Sequence, residues 1–177
     1  MKRFFLSLLL LSAVFAAKAQ SGDYPKSEVK WNIASTIAFA SVEVGYEYFF
    51  DNNQSVGAEV LINDSYNFGI GRQAKDFDTN SFQLTYNFYT GAENASGFEI
   101  SPMLKFRFGE YQKSDIDPVV DMDSFILGIG CGYKWNFSDK FVFGPYITIG
   151  RNFSEEVNDE FDNPIEFSAG FGVGYRF

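Results

Sequence analysis

The chain has 177 residues, one cysteine, no histidine and a formal net charge of −9 at pH 7. This length fits a single domain, and the acidic balance argues against a nucleic-acid partner because phosphate backbones bind basic surfaces. Without histidine, Ser-His-Asp and Cys-His catalysis and histidine-ligated metals are excluded, and a lone cysteine cannot form an intramolecular disulfide.

The first segment, residues 1–19, has the pattern of a secretory signal peptide. Lys2 and Arg3 form a basic start, an apolar run follows from Phe4 to Ala17, and Ala17-Lys18-Ala19 matches a small-x-small cleavage site. The apolar run is too short to cross a bilayer as a helix. We therefore expect residues 1–19 to be removed on export, leaving residues 20–177 as one domain.

Eight segments then alternate apolar and polar residues, the pattern of strands with one apolar face. In the first four segments, the apolar face contains Val29, Trp31, Ile33 and Ile37; Val42, Val44, Tyr46, Tyr48 and Phe50; Val56, Ala58, Val60 and Ile62; and Phe82, Leu84, Tyr86 and Phe88, respectively. In the last four segments, the apolar face contains Phe98, Ile100, Pro102, Leu104, Phe106 and Phe108; Phe125, Leu127, Ile129, Cys131, Tyr133, Trp135 and Phe137; Phe141, Phe143, Pro145, Ile147 and Ile149; and Ile165, Phe167, Ala169, Phe171, Val173, Tyr175 and Phe177, respectively.

Strands that are apolar outside and polar inside suit a closed barrel in lipid. Ten residues that rise about 3.3 Å each, with a tilt of about 40°, span roughly 25 Å, the height of the apolar band of such a barrel. A soluble lipocalin-like barrel would have the reverse polarity. The sequence therefore predicts an all-β, eight-stranded, antiparallel up-and-down transmembrane β-barrel whose interior side chains can fill.

The connections between predicted strands are of two kinds. Those at 51–54, 90–96 and 138–140 are short, whereas those at 66–79, 110–121 and 154–164 are long. Short periplasmic turns and longer external loops produce this pattern when both termini are periplasmic. The first external connection, around 38–40, is the exception and is expected to be very tight.

Aromatic residues gather at the strand ends that this topology makes periplasmic, which predicts an interfacial girdle. A general preference of aromatics for strands would explain their number but not their gathering at one rim. The predicted girdle consists of Trp31, Tyr48, Phe50, Phe88, Trp135 and Phe137, with Phe98, Phe141, Tyr175 and Phe177 at the same rim.

The inward faces carry charges of both signs in equal number. Five are cations, Lys30, Lys105, Arg107, Lys134 and Arg176, and five are anions, Glu43, Glu47, Glu59, Glu99 and Glu166. Charges in a narrow interior of low dielectric constant are tolerated when they are paired and hydrogen-bonded. We interpret this set as an ion-paired plug, with inward glycines leaving room for long side chains. A relay or selectivity path for ions is the alternative.

We predict no catalytic, cofactor or metal site. Cys131 falls on the lipid-facing side, where a thiolate is poorly stabilised. The long connections are acidic, as at Asp117 and Glu156, but lack the spacing of an EF-hand. Loose divalent bridging to lipopolysaccharide phosphates is the interpretation that we prefer.

The ending Gly174-Tyr175-Arg176-Phe177, with the eight amphipathic segments and tight turns, resembles the small outer-membrane β-barrel proteins, such as OmpX and the transmembrane domain of OmpA. The segments 29–33 and 41–47 are also similar to porin-like barrels common in Bacteroidetes. The resemblance implies the outer membrane of a Gram-negative bacterium. Tyr175 and Phe177 resemble the C-terminal signal that the outer-membrane assembly machinery recognises.

Two classes of function stay open from the sequence. The first is a non-enzymatic membrane scaffold with a closed lumen, whose loops interact with the outside. The second is porin-like transport of small solutes or ions through a gated lumen. The expected partners are outer-membrane lipid, lipopolysaccharide and the assembly machinery, and the expected state is a monomer without a cofactor.

Overall fold

The computed structural model describes residues 26–65, 77–91, 95–113 and 116–177, so the predicted signal peptide lies outside the described residues. In order, the elements of these ranges are β1 (Ser27–Asn32), α1 (Ile33–Phe39), β2 (Val42–Phe49), β3 (Gln54–Ile62), β4 (Phe77–Tyr89), β5 (Gly97–Tyr111), β6 (Val120–Asp121), β7 (Ser124–Asn136), β8 (Phe141–Asn152), α2 (Glu155–Phe161) and β9 (Ile165–Arg176).

The strands form a closed antiparallel ring. Each strand pairs with its sequence neighbour, except that β5 pairs with β7, and β1 pairs with β9 to close the ring. The two-residue strand β6 pairs only with the end of β5, so eight strands form the wall. The predicted fold class, an eight-stranded antiparallel β-barrel, is confirmed.

Strand alternation separates an apolar outer face from a polar inner face. On β4, Phe82, Leu84 and Phe88 are 40–46% exposed, whereas Ser81 and Gln83 are 3% and 7% exposed. The same division runs along the other long strands. Because side chains of successive residues point to opposite sides of a strand, the period of two in the sequence determines this division.

The first predicted strand is shorter than expected. β1 ends at Asn32, and the next seven residues form α1 instead of continuing to Ile37. Asn32 is the N-cap, since its Oδ1 accepts a hydrogen bond of 3.1 Å from the Ser35 N–H, and Ala40 ends the helix with a φ of 52°. The predicted tight connection at 38–40 is therefore wrong, because two helical turns join β1 to β2.

The barrel has two distinguishable ends. The turn end contains residues 50–53, 90–91, 95–96 and 137–140, and the loop end contains α1, α2 and the described residues that follow β3 and β5. Much of the predicted 66–79 connection lies outside the described residues, but Phe77 to Thr79 belong to β4. Neither helix in the described ranges is long and apolar enough to cross a membrane.

Outward aromatic residues lie at both ends of the barrel. The predicted residues at the turn end are Tyr48, Phe50, Phe88, Trp135 and Phe137, each at least 43% exposed. Trp31 is a correction: it lies at the loop end of β1, where its indole N–H donates to Thr36 Oγ1 in α1 over 3.0 Å. This position follows from the early end of β1.

A second aromatic belt lies at the loop end, so the expectation of a single aromatic rim is wrong. It consists of Phe106, Phe108, Phe125, Phe153 and Phe167. The pairs Phe98 and Phe108, Trp135 and Phe125, and Phe177 and Phe167 are each ten residues apart on one strand or its direct extension. Ten tilted strand residues span roughly 25 Å, the height of the apolar band of a barrel in lipid.

Candidate functional site

The ten charged residues predicted for the interior all lie on the inward face of the barrel. Eight of them are buried, whereas Lys30 and Glu99 are partly exposed to an internal cavity. Two further carboxylates, Glu28 and Asp64, join them. The twelve side chains occupy three layers, which we call the outer, central and inner layers from the loop end to the turn end.

The outer layer is built around Arg107, which is fully buried. Its Nη2 lies 3.0 Å from Asp64 Oδ2 and 2.6 Å from Glu166 Oε1. Lys105 Nζ contacts the same two carboxylates at 2.7 and 2.8 Å, and Ser81 donates to Asp64 over 2.5 Å. Two cations and two anions therefore form a neutral, hydrogen-bonded cluster, the condition under which buried charges are stable.

Sequence alternation missed Asp64 for a local reason. Counting from Ile62, which is 52% exposed, alternation would place Asp64 on the outer face. Asn63 adopts a left-handed conformation with a φ of 59°, which turns the following residue to the inside. Asn tolerates this conformation better than most residues, so an Asn-Asp pair after a strand is the signal that was available.

The inner layer contains Lys134, Arg176, Glu28 and Glu47. Lys134 Nζ lies 3.1 Å from both carboxylates, and Arg176 Nε donates to Glu28 Oε2 over 2.8 Å. The hydroxyl of Tyr89 donates to Glu47 and accepts from Lys134. Glu28 has the same parity as Lys30 but precedes the predicted start of the first strand at Val29, so strand alternation did not predict it.

The central layer contains more carboxylates than cations. Lys30 forms an ion pair with Glu59, which also accepts a hydrogen bond from Gln83 over 3.0 Å. Glu43 accepts from the Asn32 amide over 2.9 Å and from the Tyr146 hydroxyl. Glu99 accepts from Ser101 Oγ over 2.7 Å. Among the described residues, Glu43 and Glu99 have no ion-pair partner.

The predicted equality of interior charges is therefore wrong. The outer and inner layers are neutral, whereas the central layer has three carboxylates and one ammonium group. The surplus arises because Glu28 and Asp64 pair with interior cations and, among the described residues, leave none for Glu43 and Glu99.

A cavity of about 80 Å³ lies at the central layer. One side is lined by charged and polar side chains and the other by glycines of β7, β8 and β9, including Gly130, Gly144 and Gly172. Gly45 shows what glycine contributes, because a Cβ there would stand 2.8 Å from both Glu59 Cγ and Lys30 Cε. This volume accommodates several water molecules.

Apolar clusters cover both ends of the lumen. At the turn end Phe49 packs against Tyr89 and Ala95, and the cations Lys134 and Arg176 lie 5.8 and 5.4 Å from the Phe49 ring centre. The cluster at the loop end consists of Phe77, Tyr111, Met122 and Val157, with Phe161 packed against it. Val157 and Phe161 belong to α2, so this helix covers the loop end.

The N-cap of α2 gives a small and local prediction. Ser154 accepts a hydrogen bond from the Val157 N–H through its side chain. We expect Ser154→Ala to destabilise α2 by about 1 kcal/mol, because one helix-end N–H loses its partner. Hydrogen exchange of the Val157 and Asn158 amides should rise about fivefold while global unfolding is unchanged. Unaltered exchange at both amides would contradict this assignment.

The described residues offer little for metal or thiol chemistry. They contain no group of three or more Asp, Glu, Cys or His side chains placed to hold a metal ion. Cys131 is a free thiol of intermediate exposure, next to the outward residues Ile129 and Tyr133 in the pattern of β7. The predicted acidic connection at 154–164 contains α2.

Comparisons with known proteins identify the fold. The sequence matches no protein-family model and no curated protein. Among solved structures, the N-terminal β-barrel domain of Pseudomonas aeruginosa OprF is similar with a TM-score of 0.58 and 16% identity, over 87% of this chain and 98% of that one.

Two other solved structures match at lower TM-scores. Neisserial surface protein A matches with a TM-score of 0.47 and 10% identity, over 85% of this chain and 93% of that one. Yersinia pestis Ail, the attachment invasion locus protein, matches with a TM-score of 0.45 and 12% identity, over 87% of this chain and 99% of that one. With the closed ring of eight strands, the OprF match shows that the chain has the fold of a small outer-membrane β-barrel.

Proposed function

We propose that the protein is a non-enzymatic β-barrel of the Gram-negative outer membrane, with a structural or surface-interaction role and a largely closed lumen. One observation carries the proposal: an outward apolar band lies between two aromatic belts and encloses a buried, ion-paired interior. Such a surface is stable in a bilayer, and a closed ring leaves no unpaired strand edge in lipid.

The proposed orientation places the loop end outside the cell and both termini in the periplasm. Export through a cleaved segment 1–19 belongs to the same proposal, as does a place among the porin-like barrels of Bacteroidetes. At the loop end, Ile116 and Val119 are 93% and 52% exposed and could contact a surface partner. Lipid and lipopolysaccharide are the proposed surroundings of the monomer.

Extraction and electrophoresis test this class of protein. The folded chain should require detergent for extraction and give strand-rich circular dichroism. It should also migrate differently on gels before and after boiling, because a closed barrel resists unfolding by detergent. A processed chain that is soluble without detergent, or that gives helical dichroism, would contradict the proposal.

Porin-like transport is the second candidate, and the polar central cavity is the observation that favours it. The buried ion pairs and the two apolar clusters favour the closed scaffold. Single-channel recording separates the two candidates. The closed scaffold should be nearly silent, whereas steady conductance that is unchanged in Lys134→Met and Glu47→Gln would favour transport.

The assembly role of Tyr175 and Phe177 gives a separate prediction. Tyr175 is 42% exposed, and its ring lies 6.4 Å from that of Phe177 between centres. We expect Phe177→Asp to lower the amount of inserted, heat-modifiable barrel several-fold without lowering export, because the aromatic recognised by the assembly machinery is lost. Phe137→Asp is the matched control, since Phe137 is an exposed aromatic at the same end. Equal insertion of both variants would show that the ending is not a signal.

A further inference from the structure

Among the described residues, the surplus negative charge of the interior is confined to the central layer. The outer and inner layers each contain two cations and two carboxylates in direct contact. In the central layer Lys30 is paired with Glu59, while Glu43 and Glu99 have only neutral hydrogen-bond donors. Two uncompensated carboxylates in a narrow interior are costly unless a positive charge accompanies them.

Two residues that line the cavity beside these carboxylates each have a side-chain oxygen atom without a hydrogen-bond partner among the described residues. Thr85 and Asn87 of β4 line this cavity, as do Glu99 and Ser101 of β5. The register pairs Tyr89 with Glu99 and Thr85 with Met103, so Asn87 is nearer to Glu99 than Thr85 is. Thr85 Oγ1 and Asn87 Oδ1 are buried and have no hydrogen-bond partner among the described residues. Buried polar atoms of this kind ordinarily have a partner, which can be water or an ion.

We propose that the central cavity binds a monovalent metal cation, Na⁺ or K⁺, with Glu99 as the charged ligand and Asn87 and Ser101 as neighbouring neutral oxygen donors. The available charge favours a monovalent ion over a divalent one. Glu43 is already occupied by Asn32 and Tyr146, and the ammonium groups of Lys30 and Lys134 line the same cavity. Calcium sites take six to eight oxygens with several carboxylates, and the described residues form no such cluster.

Refolding in defined salts tests the site. The barrel is refolded in detergent with NaCl, KCl or choline chloride at equal ionic strength, and its urea unfolding midpoint is measured. We expect a higher midpoint with Na⁺ or K⁺ than with choline, rising to saturation, because a ligand that binds only the folded state stabilises it. Comparison of the NaCl and KCl series shows which ion is preferred.

A charge-removing variant and its control link this effect to the cavity. Glu99→Gln should weaken the apparent affinity for the cation at least about tenfold, because the ion loses its charged ligand. Asp139→Asn removes the same charge from an exposed turn and should leave the affinity unchanged.

Thallium provides a readout that does not depend on any variant folding. Tl⁺ substitutes for K⁺, and its anomalous scattering in crystals of the wild-type barrel should locate it in the cavity beside Glu99. Equal midpoints in the three salts, or no thallium in the cavity, would overturn the proposal and show that water and protons satisfy these groups.

Discussion

Arg107→Met is expected to lower the free energy of unfolding by roughly 3 to 5 kcal/mol, the range for breaking a buried ion pair. Arg107 is 0% exposed and contacts Asp64 and Glu166, and its removal leaves Lys105 as the only cation of the outer layer. One buried carboxylate is then uncompensated. Urea unfolding of the refolded barrel, followed by the fluorescence of Trp31 and Trp135, measures the loss.

Arg151→Met is the matched control for this experiment. Arg151 is exposed on the outer face, where its guanidinium lies 5.6 Å from the Phe153 ring centre. The same substitution there should cost less than about 1 kcal/mol. A double variant with Glu166→Gln should recover part of the stability, because it removes the stranded charge. Equal stability of Arg107→Met and the wild type would show that the outer layer does not stabilise the barrel.

Gly144→Ala is expected to lower the free energy of unfolding by about 1 to 3 kcal/mol, the cost of adding volume to a packed interior. A methyl group at Gly144 would overlap the carbonyl oxygen of Tyr133 on β7. A backbone atom cannot move aside as the end of a flexible side chain can, so β7 and β8 would have to separate locally. Urea unfolding midpoints measure this change as well.

Gly172→Ala is the control, because Gly172 pairs with Gly144 across β8 and β9. A Cβ at Gly172 would have its nearest neighbour at 3.9 Å, the Gly144 carbonyl oxygen. The control should match the wild type or exceed it by up to about 1 kcal/mol, because alanine reduces the entropy of the unfolded chain. Equal behaviour of the two variants would contradict the close approach at Gly144.

Local alternation was enough to predict the wall of the barrel. In a strand, side chains of residues two apart share a face whatever the rest of the fold does. The inward positions of Lys105, Arg107 and Lys134, and the outward positions of Phe82 and Leu84, therefore followed from the sequence. Strand number and antiparallel closure followed from the same pattern.

Deviations from regular strand geometry cannot be predicted from the alternation of apolar and polar residues. Asn32 could have continued strand β1, but its side chain caps α1 and also donates a hydrogen bond to Glu43, which lies on the neighbouring strand β2. Asn63 turns Asp64 to the inside through one left-handed residue. Both are single-residue events, and a two-residue period contains no information about them.

The grouping of the interior side chains was decided by the tertiary structure. Arg107 and Glu166 are separated by 59 residues, and Lys134 and Glu28 by 106, yet they share a layer because closure of the ring sets their heights. By itself, the sequence determined which residues face the lumen, since that depends on local strand geometry. Only closure and strand register decided which charges pair, and therefore that two layers are neutral while Glu43 and Glu99 remain beside the central cavity.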